Sequence, residues 1–139
     1  MKKGHLLLLL GFVFWISTVE CNGQDDVAAV RVTLEHYTSG DPERVEKAFH
    51  SLATMKYIDA KTSELKDVPI ADYISRIKTN PATPGSTKKE IISINVEGSA
   101  AQGKIKIETD KAILYDFMSL LKIKGEWKIV SKIFSRQDK

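Results

Sequence analysis

Cysteine is almost absent. Cys21 is the one cysteine among 139 residues. It sits where a leader would end, so a disulfide framework and thiol chemistry are excluded for the chain that follows. Histidine is scarce too, with only His5, His36 and His50. No HExxH, paired-cysteine, glycine-rich phosphate-loop or G-x-S-x-G pattern occurs. Neither a metal nor another cofactor is therefore expected. No charge of one sign dominates: 21 basic against 18 acidic residues give a formal +3. The lysines at 88, 89, 104, 106, 122, 124, 128 and 132 are spread out and read as solvated strand faces. A nucleic-acid surface needs a denser patch, and no nucleic-acid partner is expected.

A long hydrophobic run is also lacking. Lys2 and Lys3 precede a short apolar stretch at 6–16, too short to cross a bilayer comfortably. Cys21-Asn22-Gly23 then supplies small residues ahead of Gln24. This is the pattern of a secretory signal peptide over 1–23, which predicts a secreted or periplasmic protein. The alternative is a lipoprotein anchored at Cys21, against which Glu20 stands at the position where such signals want a small residue. No membrane contact is expected otherwise. Loss of Lys2, Lys3 and Glu20 lowers the net charge by one.

What remains, 24–139, has the length of one domain and shows no repeat or linker. Residues 25–37 place Val27, Val30, Leu34 and Tyr37 on one helical stripe behind Asp25 and Asp26. Ser39-Gly40 ends that helix. Asp41-Pro42 opens a second one, whose buried side would be Val45, Ala48, Phe49 and Leu52. A short strand at 54–59 turns at 60–63, and 64–66 pairs back. Asp67-Val68-Pro69 opens a third helix with Ile70, Tyr73, Ile74 and Ile77 on its apolar side. A loop at 79–87, rich in Pro, Gly and Thr, leads into strands at 89–97 and 100–109.

The last segment, 111–136, is a hairpin around Lys124-Gly125, a two-residue connection suited to a type I′ turn. With Ile123 facing Glu126, counting outward sets Lys122 opposite Trp127, Leu120 opposite Ile129, Met118 opposite Ser131 and Asp116 opposite Ile133. One face then carries Leu114, Asp116, Met118, Leu120, Trp127, Ile129 and Ile133. The other carries Ile113, Tyr115, Phe117, Leu121, Val130 and Phe134, with Lys132 among them. Both faces are apolar and both should be covered. A slip of one residue would exchange the partners of Asp116 and Lys132.

Helix, helix, short hairpin, helix and a four-stranded meander make an α+β fold. EHYTSGD, KAFHSLATM, VPIADYI and DFMSLLKIKGEWKIVSKIF, spread over 25–134, resemble the nuclear-transport-factor-2-like (cystatin-like α+β cone) superfamily, and within it the lumazine-binding branch of bacterial secreted proteins. The resemblance implies three helices packed on a curved, mainly antiparallel sheet of four to six strands, forming a cone with an apolar pocket. It implies a homodimer through the convex sheet face. Relatives include ketosteroid isomerase, scytalone dehydratase, limonene epoxide hydrolase and the SnoaL-like polyketide cyclases, and others that only bind or dimerise, so fold does not settle function.

Asp116, set among apolar residues, is the leading candidate for a general acid or base. The structural alternative is a carboxylate paired with a cation or bonded to backbone at a sheet edge. His50, read as the end of the second helix, is the second catalytic candidate and a possible partner of Asp116; otherwise it serves the helix dipole. His36 lies off the stripe and should be exposed. Candidate ligand-binding residues are Tyr57, Tyr73, Tyr115, Met118, Phe49 and Lys132, each open to the plainer reading of core packing or, for Lys132, snorkelling or dimer contact. Three functions follow: a binder of an apolar or aromatic small molecule, a cofactor-independent isomerase, dehydratase or cyclase using Asp116 with Tyr57 or His50, or an interaction domain with a filled interior.

Overall fold

The computed structural model describes residues 23–81 and 86–139. The leader expected at 1–23 lies outside the described residues except for Gly23. No described helix is long and apolar enough to cross a membrane.

Helix α1 (Gly23–Thr38) has Asp25 and Asp26 in its first turn and buries Val30, Leu34 and Tyr37 along one stripe. Gly40, at φ +80°, ends the connection. Helix α2 (Pro42–Ala48) starts as Asp41-Pro42 implies: the Asp41 carboxylate accepts the Glu43 N–H at 2.9 Å, and proline takes the first helical position. It stops earlier than the apolar spacing suggests. Phe49 is already extended and begins β1 (Phe49–Ile58), so Phe49, His50 and Leu52 are strand residues and Leu52 is exposed. Pairing of Phe49 with Ile129 in the last strand outweighs one more helical turn. Strand β2 (Leu65–Pro69) likewise absorbs Asp67-Val68-Pro69, and α3 (Ile70–Thr79) begins after the proline.

Strands β3 (Lys88–Glu97), β4 (Ala100–Glu108), β5 (Ala112–Ile123) and β6 (Glu126–Asp138) form the meander. The sheet is open, six-stranded and mixed, in the order β2-β1-β6-β5-β4-β3, with β1 and β6 parallel and every other pair antiparallel. All three helices pack on one face. At Gly103 a Cβ would stand 2.6 Å from Leu34 Cδ1, so a larger residue there would force the buried Leu34 side chain of α1 to shift. At the start of α1, Asp26 accepts from Lys122 Nζ at 2.7 Å and from Trp127 Nε1 at 3.1 Å, fixing the helix to the hairpin.

The hairpin turn forms as its sequence demands, with Lys124 at φ 51° and Gly125 at φ 85°. The register follows the count from Ile123–Glu126 to Leu120–Ile129 and then shifts by one. Val130 is an extra residue, a β-bulge. Beyond it Met118 faces Lys132, Phe117 faces Ile133 and Asp116 faces Phe134, which corrects the simple count. Lys132 and Phe134 turn toward the helices. Ile133 turns away and is 51% exposed.

Candidate functional site

Asp116 and Lys132 meet under the helices. Asp116 is fully buried and Lys132 is 5% exposed. Lys132 Nζ lies 3.0 Å from Asp116 Oδ2. Tyr37, from the C-terminal end of the α1 stripe, donates its phenol to the same oxygen at 2.6 Å and accepts from Lys132 Nζ at 2.7 Å. Three elements thus place one carboxylate, one ammonium and one phenol in mutual contact.

The aromatic surroundings fit a cation. Lys132 Nζ stands 5.0 Å from the ring centre of Tyr37, 5.1 Å from that of Phe134 and 5.6 Å from that of Tyr73. Tyr57 stacks on Phe134 with ring centres 4.8 Å apart. Tyr57, Tyr73 and Phe134 are each half-buried, so this group forms a part-exposed aromatic rim beside the buried polar cluster. Arg76 lies over the Tyr73 ring at 5.6 Å. Lys89, from β3, donates to the carbonyl of Thr38, next to Tyr37, at 3.0 Å.

Burial, followed by the charge of Asp116, pushes the Tyr37 phenol well above its ordinary 10.0. Burial raises Tyr73 as well. Burial lowers Lys132 from 10.5, and Asp116 opposes that shift. Two opposite charges 3.0 Å apart in a dry interior compensate each other, yet desolvating both costs several kcal/mol. The compensation is incomplete in one respect. Among the described residues Asp116 Oδ1 is buried with no hydrogen-bond partner, which for a polar oxygen costs about 1–3 kcal/mol.

The other expected residues are scattered. His50 is on β1, where its Nδ1 accepts the Leu52 N–H at 3.2 Å. With Phe49 it lines a groove of about 420 Å³ between β1 and α3, closed at one side by the Lys78–Glu46 pair at 2.6 Å. His50 therefore stands apart from the Asp116 cluster, because α2 ends before it. Phe49 also packs its ring edge-on against Tyr37, and Met118 is buried core. Tyr115 belongs to the opposite, helix-free face, where Lys104 lies 5.2 Å from its ring centre. His36 is half-buried rather than exposed. Tyr37, Arg76 and Lys89 were not among the candidates. Tyr37 could have been found, being the polar end of a buried stripe; nothing local distinguishes Arg76 or Lys89. Among the described residues no three His, Cys, Asp or Glu side chains gather as metal ligands would.

Residues 25–135 match the family described as putative lumazine-binding. The chain belongs to that family. Among solved structures it is similar to a nuclear-transport-factor-2-like protein of unknown function from Shewanella baltica, with 28% identity, a TM-score of 0.74, and 82% of this chain and 95% of that one covered. A second such protein, from Methylobacillus flagellatus, gives 26% identity and a TM-score of 0.70 over 81% and 93% of the two chains. A ketosteroid isomerase-like protein from Erwinia carotovora shares the fold at 11% identity, with a TM-score of 0.62 over 81% and 96%. No curated protein matches. The α+β architecture expected from the sequence is thus the family's own.

Proposed function

We propose that this is a secreted or periplasmic protein that binds a small molecule on the helix-covered face of its sheet, at the rim made by Tyr57, Tyr73 and Phe134. One observation carries the reading: among the described residues Asp116 Oδ1 is buried without a donor, and Asp116 pairs in register with Phe134 of that rim. A ligand bearing an O–H or N–H group would supply the missing bond. The family's lumazine-binding description supports a ring-shaped ligand. The test is thermal unfolding of the protein against a library of aromatic and heteroaromatic compounds. Binding compounds should raise the melting temperature of the parent and lose that effect in Asp116→Asn, which keeps shape but removes the charge. A library that shifts neither protein counts against the reading.

A second reading rests on the 2.6 Å contact between Tyr37 Oη and Asp116 Oδ2. A phenol and a carboxylate in contact can share general acid and base roles, with the unpartnered Oδ1 taking the substrate proton. The partner in such an isomerase, dehydratase or cyclase would be Tyr37 in place of the expected Tyr57 or His50. Deuterium uptake from D₂O into a bound ketone, abolished in Asp116→Asn, is the outcome it requires.

The helix-free face is the proposed homodimer surface. It exposes Phe117, Leu121 and Ile133 and holds a groove of about 360 Å³. An interface of ordinary size holds below about 1 μM, so a monomer in sedimentation at tens of micromolar would argue against it.

A further inference from the structure

We propose that the ligand of this site is an aromatic acid, its ring taken by Tyr57, Tyr73 and Phe134 and its anionic group by Arg76 and Lys89. This rests on the small-molecule reading above and names the ligand's chemistry.

The charges around Asp116 do not balance. One carboxylate faces Lys132 in contact, with Lys89 and Arg76 within electrostatic reach: burial lowers Lys89 and Asp116 opposes that shift, while burial lowers Lys132, Asp116 opposes it, and Arg76 and Lys89 add to it. Among the described residues neither Arg76 nor Lys89 forms an ion pair with a carboxylate. Nearby Lys78, on the same helix as Arg76, does so with Glu46. Both free cations are nonetheless held in place. The Arg76 guanidinium lies over Tyr73, and Lys89 spends one N–H on the Thr38 carbonyl, leaving two. Positioned cations without a counter-charge lose little side-chain freedom when an anion arrives, and Arg offers a planar fork suited to a carboxylate or sulfonate.

The rest of the ligand follows from the neighbouring groups. Tyr57 stacked on Phe134, and Tyr73 near the same Lys132 ammonium, supply half-buried aromatic surface for an aromatic body to pack against. Asp116 Oδ1, buried without a partner among the described residues, calls for a donor such as a phenol. A neutral apolar ligand would leave the surplus positive charge uncompensated. A cationic one would meet three like charges around one carboxylate.

The experiment is calorimetric titration of the protein with three acid–amide pairs: benzoate and benzamide, 2-naphthoate and 2-naphthamide, 4-hydroxycinnamate and its amide. At least one acid should bind tenfold or more tightly than its amide. Its affinity should fall severalfold on raising NaCl from 50 to 500 mM. Arg76→Gln and Lys89→Gln should each weaken the acid several-fold and leave the amide unchanged. Both residues are exposed, and unaltered melting curves would show that the variants fold. Equal binding of acids and amides, or variants without effect, overturns the anion assignment and leaves small-molecule binding standing. If no acid or amide binds at millimolar concentration, both fall.

Discussion

The two faces of the β5–β6 hairpin invert the usual distribution of residues. The face under the helices buries Asp116 and Lys132, while the helix-free face exposes Phe117 at 43%, Leu121 at 42% and Ile133 at 51%. Charge lies inside and apolar surface outside. On β5 the plain alternation already puts Asp116 inside and Phe117 and Leu121 outside; on β6 the bulge at Val130 turns Lys132 inward and Ile133 outward. A core built only for stability would place Ile133 inside, since a buried ion pair is often no better than an apolar pair of similar volume. The difference between the faces is the one the proposed ligand site within and the proposed dimer surface without would require.

The strongest way to break this contrast is to remove one charge from the buried pair. Asp116→Ala should cost about 3–5 kcal/mol in urea unfolding, because Lys132 is left as an uncompensated buried ammonium. The double variant Asp116→Leu with Lys132→Met should recover most of that loss while abolishing ligand binding. A single variant as stable as the parent would show that the pair is solvated. Next in size is Gly103→Ala, whose new methyl group meets Leu34 within the fully buried part of the helix-covered face. A loss of about 1–3 kcal/mol is expected there, and an unchanged melting temperature would mean that α1 can shift freely.

On the helix-free face the expected sign is different. Phe117→Ser and Ile133→Ser should change the stability of the isolated chain by roughly 0.5–1 kcal/mol at most, yet weaken self-association in sedimentation. A large stability loss without a change in association would make that face part of the folding core.

The smallest effect concerns pH. The folded phenol of Tyr37 titrates above its ordinary 10.0 because of burial and then of the Asp116 charge. A raised folded pKa gives stability that is complete below pH about 10 and is lost as pH rises through the folded value, since the unfolded chain ionises first. Melting temperatures should therefore fall more steeply above pH 10 in the parent than in Tyr37→Phe. Tyrosinate absorbance of the folded parent should include a late-rising component that this variant loses in part. Equal slopes would place Tyr37 in contact with solvent.

Much of the fold was legible because it rests on neighbours along the chain. The stripe of α1 and the Asp41-Pro42 start of α2 need only local spacing and capping, and the Lys124-Gly125 turn needs only a residue without a Cβ at positive φ. Val45, Ala48, Phe49 and Leu52 have helical spacing, which predicts helix through residue 52. The chain leaves the helix at Phe49 because a distant strand offers it a partner. Of the candidate site, Asp116 stood out as a charge in an apolar strand, and Lys132 as its counterpart on the other strand. Their meeting depended on a bulge that no residue type near Val130 announces. Tyr37 joined them only because α1 lies across the sheet at Gly103.

The sequence by itself determined the class of fold, the order of its elements, the hairpin turn and the presence of two charges in apolar strands. These follow from periodicity, capping and turn chemistry, which act over a few residues. Only the tertiary structure decided that the two charges face each other, that a helix tyrosine bridges them, and that Arg76 and Lys89 gather beside them. Those outcomes depend on register and on packing between segments tens of residues apart, where one extra residue in a strand reverses which side chains lie inside.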